Sequence, residues 1–86
     1  MRIYMQSIPE DEGDSLRFYH IMLQQDLLGG WTVIRESGRQ GARGRVQREH
    51  FEAFDAAENA LQVTRDKQLK RGYRVVFAEG MQQGVR

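Results

Sequence analysis

Apolar positions alternate along most of the chain and take a helical period in one stretch. Arg2 to Ile8 alternates loosely and carries Ile3, Tyr4, Met5 and Ile8, which predicts a strand that could stand at a sheet edge. Leu16 to Leu23 is the clearest strand. Leu16, Phe18, His20 and Met22 share one face, and Arg17, Tyr19, Ile21 and Leu23 share the other. Both faces are largely apolar, which predicts a central strand covered at least in part on each side. His20 reads as a half-buried packing residue in preference to a catalytic one. A third strand runs from Trp31 to about Ser37, a fourth from Arg43 to Phe51 and a last from Tyr73 to Phe77. Between the last two, Ala57, Ala60, Leu61 and Thr64 fall on one helical stripe, with Ala56 and Val63 beside it. The helix is expected from Asp55 to Gly72. Asp55 is placed as N-cap, Glu58 completes a capping-box pattern, and Gly72 is the C′ terminator.

The punctuation between these elements is glycine-rich. Gly29 and Gly30 suit a tight reversal into the Trp31 strand. Pro9 to Asp14 holds the only Pro, four acids and a Gly, and reads as a solvated acidic loop that would lie away from any nucleic acid. Residues 78–86 are expected to form a flexible tail after a single domain of residues 1–77. Short connections favour antiparallel neighbours. The fold class is therefore α+β: a twisted antiparallel β-sheet of about five strands with one α-helix packed on one face.

Composition removes several classes of function. There is no cysteine among the 86 residues, hence no disulfide, no thiolate nucleophile and no Cys-based zinc site. No apolar run approaches a membrane span of roughly 20 residues, and nothing at the start reads as a signal peptide, so a soluble, cytoplasmic protein without a membrane partner is expected. The net charge is only +1, but it is unevenly laid out. Residues 1–34 carry −3, Arg35 to His50 carries +3, Phe51 to Thr64 carries −3 and Arg65 to Arg74 carries +4. Two basic blocks thus alternate with acidic ones, and a fold that joined them would carry a positive patch. Lys70 and Arg71 have a sufficient role in offsetting the helix dipole and are set aside as binding residues.

The densest chemistry is in Gly29 to Gly44. Gly38, Gly41 and Gly44 recur at every third residue with Arg39 and Arg43 between them. Glycine allows a flexible backbone and close approach, and arginine offers a planar fork of donors for phosphate. Arg45 and Arg48 have odd separation, so a regular strand puts them on opposite faces, although a bulge would let them converge with Arg39 and Arg43. Trp31 is either a half-buried anchor, the favoured reading, or an exposed stacking surface. No enzyme constellation is found. The glycine run lacks the Lys-Ser/Thr of a phosphate loop and precedes a strand, and His20 and His50 sit on different strands with no third ligand in view. No catalytic residue, metal or cofactor is expected.

Leu16 to Leu23, Asp26-Leu27-Leu28-Gly29-Gly30-Trp31, Arg35 to Gly41, Gly44 to Val46, the helix with Ala60 and Lys67, and Lys70-Arg71-Gly72-Tyr73 follow in an order that resembles the WGR domain. The resemblance runs from Leu16 to about Arg74. It implies a small antiparallel sheet with one helix. It also implies a module that in poly(ADP-ribose) polymerases binds DNA ends, and that occurs in bacterial proteins, some of them small stand-alone domains. The family's Gly-Arg matches Gly38 and Arg39, which gives Arg39 an implied role in DNA or inter-domain contact. The family's naming Trp falls at Ser37, so the aromatic platform that this Trp supplies beside nucleic acid is absent. The expected function is non-catalytic binding of DNA or another nucleic acid through Arg35, Arg39, Arg43, Arg45 and Arg48, with Gly38 and Trp31. The alternative is a protein–protein adapter using the same surface.

Overall fold

A computed structural model describes residues 1–8 and 15–80. The described elements are β1 (Arg2–Ser7), β2 (Arg17–Gln25), β3 (Trp31–Arg39), β4 (Arg45–Phe51), α1 (Phe54–Lys70) and β5 (Tyr73–Glu79). The strands form one sheet in the order β4-β3-β2-β1-β5, every neighbouring pair antiparallel. The chain therefore folds as the α+β arrangement its pattern predicts. α1 carries it from β4 at one edge to β5 at the other.

Strand parity decides which residues meet the helix. Ile3 and Met5 of β1, Ile21 and Leu23 of β2, and Val33 of β3 point to one side and are buried against Ala57 and Leu61 of α1. Burying one such side chain contributes roughly 1.5–3 kcal/mol, so these few residues carry most of the fold's cohesion. Small Ala57 lets the helix lie close to the sheet, and Trp31, Phe51, Phe54 and Tyr73 close the margins of the core. The opposite face has no helix among the described residues. Tyr4, Phe18, His20, Met22 and Ile34 lie there half-buried, and Tyr4 stacks on Phe18 and meets His20 edge-on.

Four expectations need adjustment. The first strand is not at an edge: β1 is enclosed by β2 and β5, because β5 returns to the free side of β1 after the helix. β2 is the middle strand, but it is covered by the helix on one side only. The helix starts at Phe54 with Ala53 as N-cap and no side-chain cap hydrogen bond. Phe54 is drawn into the helix by its packing on Trp31, with rings 5.0 Å apart and edge-on. That leaves Asp55 inside the first turn, where its charge still favours the positive end of the dipole. Finally, Ala78 and Glu79 belong to β5, where they pair with Ile3 and Arg2, so the strand outlasts the expected start of the tail. The helix does end where predicted, with Gly72 at φ +98°. The acidic segment Pro9 to Asp14 and residues 81–86 lie outside the described residues.

Candidate nucleic-acid interface

The β2–β3 hairpin sets the geometry of the candidate site. Its turn is built by Gly29 (φ +85°) and Gly30 (φ +146°), as the double glycine predicts. Asp26 holds this turn together. Leu28 N–H donates to its Oδ1 (3.2 Å), Thr32 Oγ1 donates to its Oδ2 (3.3 Å), and His50 Nδ1 lies 2.7 Å from the same Oδ2. A carboxylate only accepts, so His50 Nδ1 carries the proton in that bond. A Cβ on Gly30 would lie 2.6 Å from His50 Cε1, so this end tolerates no side chain there.

Counting outward from that turn, Gln25 pairs with Trp31, Tyr19 with Ser37 and Arg17 with Arg39. On the next strand, Arg45 pairs with Ser37 and Gln47 with Arg35. All of these residues share the parity of the buried core, so they lie on the helix side of the sheet. Side chains of directly opposed residues start about 5 Å apart. Arg17, Arg39 and Arg45 thus ring Ser37 at the open end of the hairpin, and all three are exposed. None of them forms an ion pair among the described residues. Two arginines directly opposite each other repel and weaken the strand pair. An anion between them would turn that repulsion into attraction.

The turn from Arg39 to Gly44 is anchored at its start, mainly through Gln40. Gln40 N–H donates to Leu16 O (2.8 Å) and Ala42 N–H to Arg39 O (3.1 Å). Tyr4 Oη and Gln6 Nε2 both donate to Gln40 Oε1, at 3.1 and 3.3 Å. The three glycines have separate jobs. Gly41 takes φ +86°. Gly38 and Gly44 let two backbones cross closely, since a Cβ on Gly44 would sit 2.9 Å from Phe18 Cζ and 3.0 Å from Ser37 O. Arg43 is exposed in this turn.

The remaining expected residues lie elsewhere. Arg35 is largely occupied: its Nε–H donates to Thr64 Oγ1 (3.1 Å), its Nη2 pairs with Glu49 Oε1 (3.2 Å), and its side chain is only 18% exposed. It ties β3 to α1 and β4. Arg48 sits opposite Ile34 on the helix-free face, as its odd spacing from Arg45 predicts for an unbulged strand. Trp31 is half-buried at the far end of β3, against Phe54. Arg17, Lys67 and Arg71 lie on the helix side but were not among the residues expected from sequence. Arg17 could have been found by pairing residues outward from the Gly29–Gly30 turn. Lys67 and Arg71 share a helix face with Thr64 and Gln68, four residues apart.

The histidines have local explanations. Burial lowers the His20 imidazole below its ordinary 6.5, the Arg2 guanidinium lowers it further, and Glu36 opposes both. Among the described residues no group of three His, Asp or Glu side chains is arranged to hold a metal ion, and no helix is long and apolar enough to cross a membrane.

A five-stranded antiparallel sheet with one helix packed on it, and a row of exposed arginines with no ion pair among the described residues, make this a small α+β domain. The sequence model of the WGR domain matches residues 1–79, nearly the whole chain, and the chain belongs to the WGR domain family. WGR domains are in general nucleic-acid-binding modules and not catalytic domains. No curated protein and no solved structure matches the chain.

Proposed function

We propose that this WGR domain binds DNA non-catalytically, by gripping the phosphate backbone at the open end of the β2–β3–β4 sheet. Arg39 and Arg45 are the principal contacts, with Arg17 and Arg43 beside them and Gly38 shaping the turn that presents them. One observation carries the proposal: the hairpin register sets Arg17 directly against Arg39, with Arg45 one strand away and no ion pair to any of the three among the described residues. Free, converging guanidinium groups are suited to paired phosphate oxygens. Arg48 and Trp31 take no part, and Arg35 acts by bracing β3.

Ser37 at the centre of this arrangement offers no aromatic ring for a base or sugar. Binding therefore rests on charge and shape, and it discriminates little between DNA sequences. The test is fluorescence anisotropy with nicked, blunt and single-stranded DNA over a range of salt. Affinity is expected to fall steeply with salt, to differ little between blunt and nicked duplexes, and to drop about tenfold in Arg39→Ala. Affinity that ignores salt, or that survives Arg39→Ala unchanged, would contradict the proposal.

A second reading, a protein-interaction adapter, draws on a different feature. Leu27 and Leu28, at the tip of the β2–β3 turn, are 100% and 95% exposed. A stoichiometric protein partner lost in Leu27→Ser/Leu28→Ser, together with no DNA binding by the unaltered chain, would favour it.

A further inference from the structure

A groove runs between the later turns of α1 and the helix side of the sheet. It encloses about 500 Å³ and is lined by Tyr19, Arg35 and Gln47 from the sheet and Lys67, Gln68 and Arg71 from the helix side. Pockets for small molecules span roughly 300–1,000 Å³, so one compact ligand fits.

Charge narrows the ligand first. Lys67 and Arg71 are exposed and four residues apart, hence side by side, and neither forms an ion pair among the described residues. Offsetting the helix dipole explains cations in this region in general. Lys70 serves that purpose without lining the groove. Arg35 adds a third cation from the opposite wall, partly neutralised by Glu49. The surplus of about two positive charges matches a phosphate monoester, which carries about −1.5 to −2 near neutral pH.

Hydrogen bonding narrows it further. Gln68 is 3% exposed, and no donor reaches its Oε1. Buried side-chain oxygens are nearly always satisfied, so an unpaired one beside a groove invites a ligand N–H. The Tyr19 ring, Ala60 and the 57% exposed Val63 add apolar surface for a flat ring.

From these three features we infer that the groove binds a nucleoside monophosphate unit. Its phosphate lies on Lys67 and Arg71, its base lies against Tyr19 and Val63, and the Gln68 amide, whose Oε1 lies below the groove surface, turns to accept from an exocyclic amino group. The unit comes either free or as an unpaired nucleotide of a strand, and only the second source rests on the nucleic-acid function proposed above.

The test is NMR titration of the ¹⁵N-labelled chain with adenosine 5′-monophosphate, adenosine, inorganic phosphate, purine riboside 5′-monophosphate and a short oligo(dA). Adenosine 5′-monophosphate is expected to shift Tyr19, Val63 and Gln68 saturably. Adenosine and phosphate alone should each bind at least about tenfold more weakly, and the analogue without the amino group several-fold more weakly. Lys67→Ala/Arg71→Ala should weaken the monophosphate about tenfold or more with the thermal midpoint unchanged. Oligo(dA) that displaces the monophosphate identifies the strand as a source; oligo(dA) that does not identifies the free nucleotide. The inference is overturned if neither the monophosphate nor oligo(dA) shifts the groove residues, or if the double variant binds the monophosphate as well as the unaltered chain does. Salt-dependent duplex binding that persists in that event leaves the arginine site at the sheet end standing. Its loss with the monophosphate still bound removes that site and leaves the groove.

Discussion

The two ends of β3 point side chains to the same side of the sheet and have opposite fates. At one end Trp31 lies against Phe54, beside Phe51 and the Asp26 hydrogen-bond cluster. At the other, Ser37 and Arg39 lie among Arg17 and Arg45, with no carboxylate paired to the arginines among the described residues. The difference comes from where α1 sits. It starts over the Trp31 end, crosses the core through Ala57 and Leu61, and meets Arg35 through Thr64. The strand therefore continues past the part of the sheet the helix covers. Residues of identical parity are core under the helix and surface beyond it. Along β3, aromatic packing is concentrated at the Trp31 end, and directly opposed arginines stand at the other.

Trp31→Ala should bring the largest loss, about 3 kcal/mol by urea denaturation, with DNA affinity of the folded protein unchanged. A loss under about 1 kcal/mol would mean that the two ends differ less than their packing indicates. Gly44→Ala puts a methyl group against Phe18 and the Ser37 carbonyl and should cost about 2 kcal/mol; a neutral result would show that the turn can give way. Ser37→Trp places a ring among the exposed arginines and should tighten single-stranded DNA binding about tenfold. No gain would mean that the ring cannot reach a base there. Arg17→Ala relieves the repulsion with Arg39 and should raise stability by a few tenths of a kcal/mol while weakening DNA binding; lowered stability would show that Arg17 has an unrecognised partner.

The smallest effect concerns His20 on the helix-free face. Its value in the folded protein lies below the ordinary 6.5, chiefly through burial. The native state therefore prefers the neutral ring. Its contribution is fully present above 6.5 and is lost as pH falls below that value. Denaturation midpoints measured from neutral to mildly acidic pH should fall faster for the unaltered chain than for His20→Gln. Parallel curves would show that His20 is not the group responsible.

Most of the fold was legible from local pattern. Alternation and β-branched or aromatic runs located the five strands, the Ala57–Ala60–Leu61–Thr64 stripe located the helix, and Gly72 marked its end. What local pattern could not supply was pairing. β1 resembled an edge strand because nothing within it announces that β5 will return to its free side. Asp55 resembled an N-cap because the Phe54–Trp31 contact that starts the helix earlier is tertiary. For the candidate site, the spacing of Arg45 and Arg48 correctly separated the two faces. The same local reading missed Arg17, whose importance lies in facing Arg39 across the hairpin. It also set aside the helix's basic end, although Arg71, with Lys67, lines a groove that only the packed helix creates.

The proposal places phosphate binding at the Arg39 end of β3 and none on the helix-free face. The slope of log affinity against log salt for a blunt duplex tests it most directly. The Arg39→Ala/Arg45→Ala chain should show a slope shallower by about 2, and Arg48→Ala a slope unchanged. An unchanged slope for the double variant, or one flattened by Arg48→Ala instead, would contradict the account.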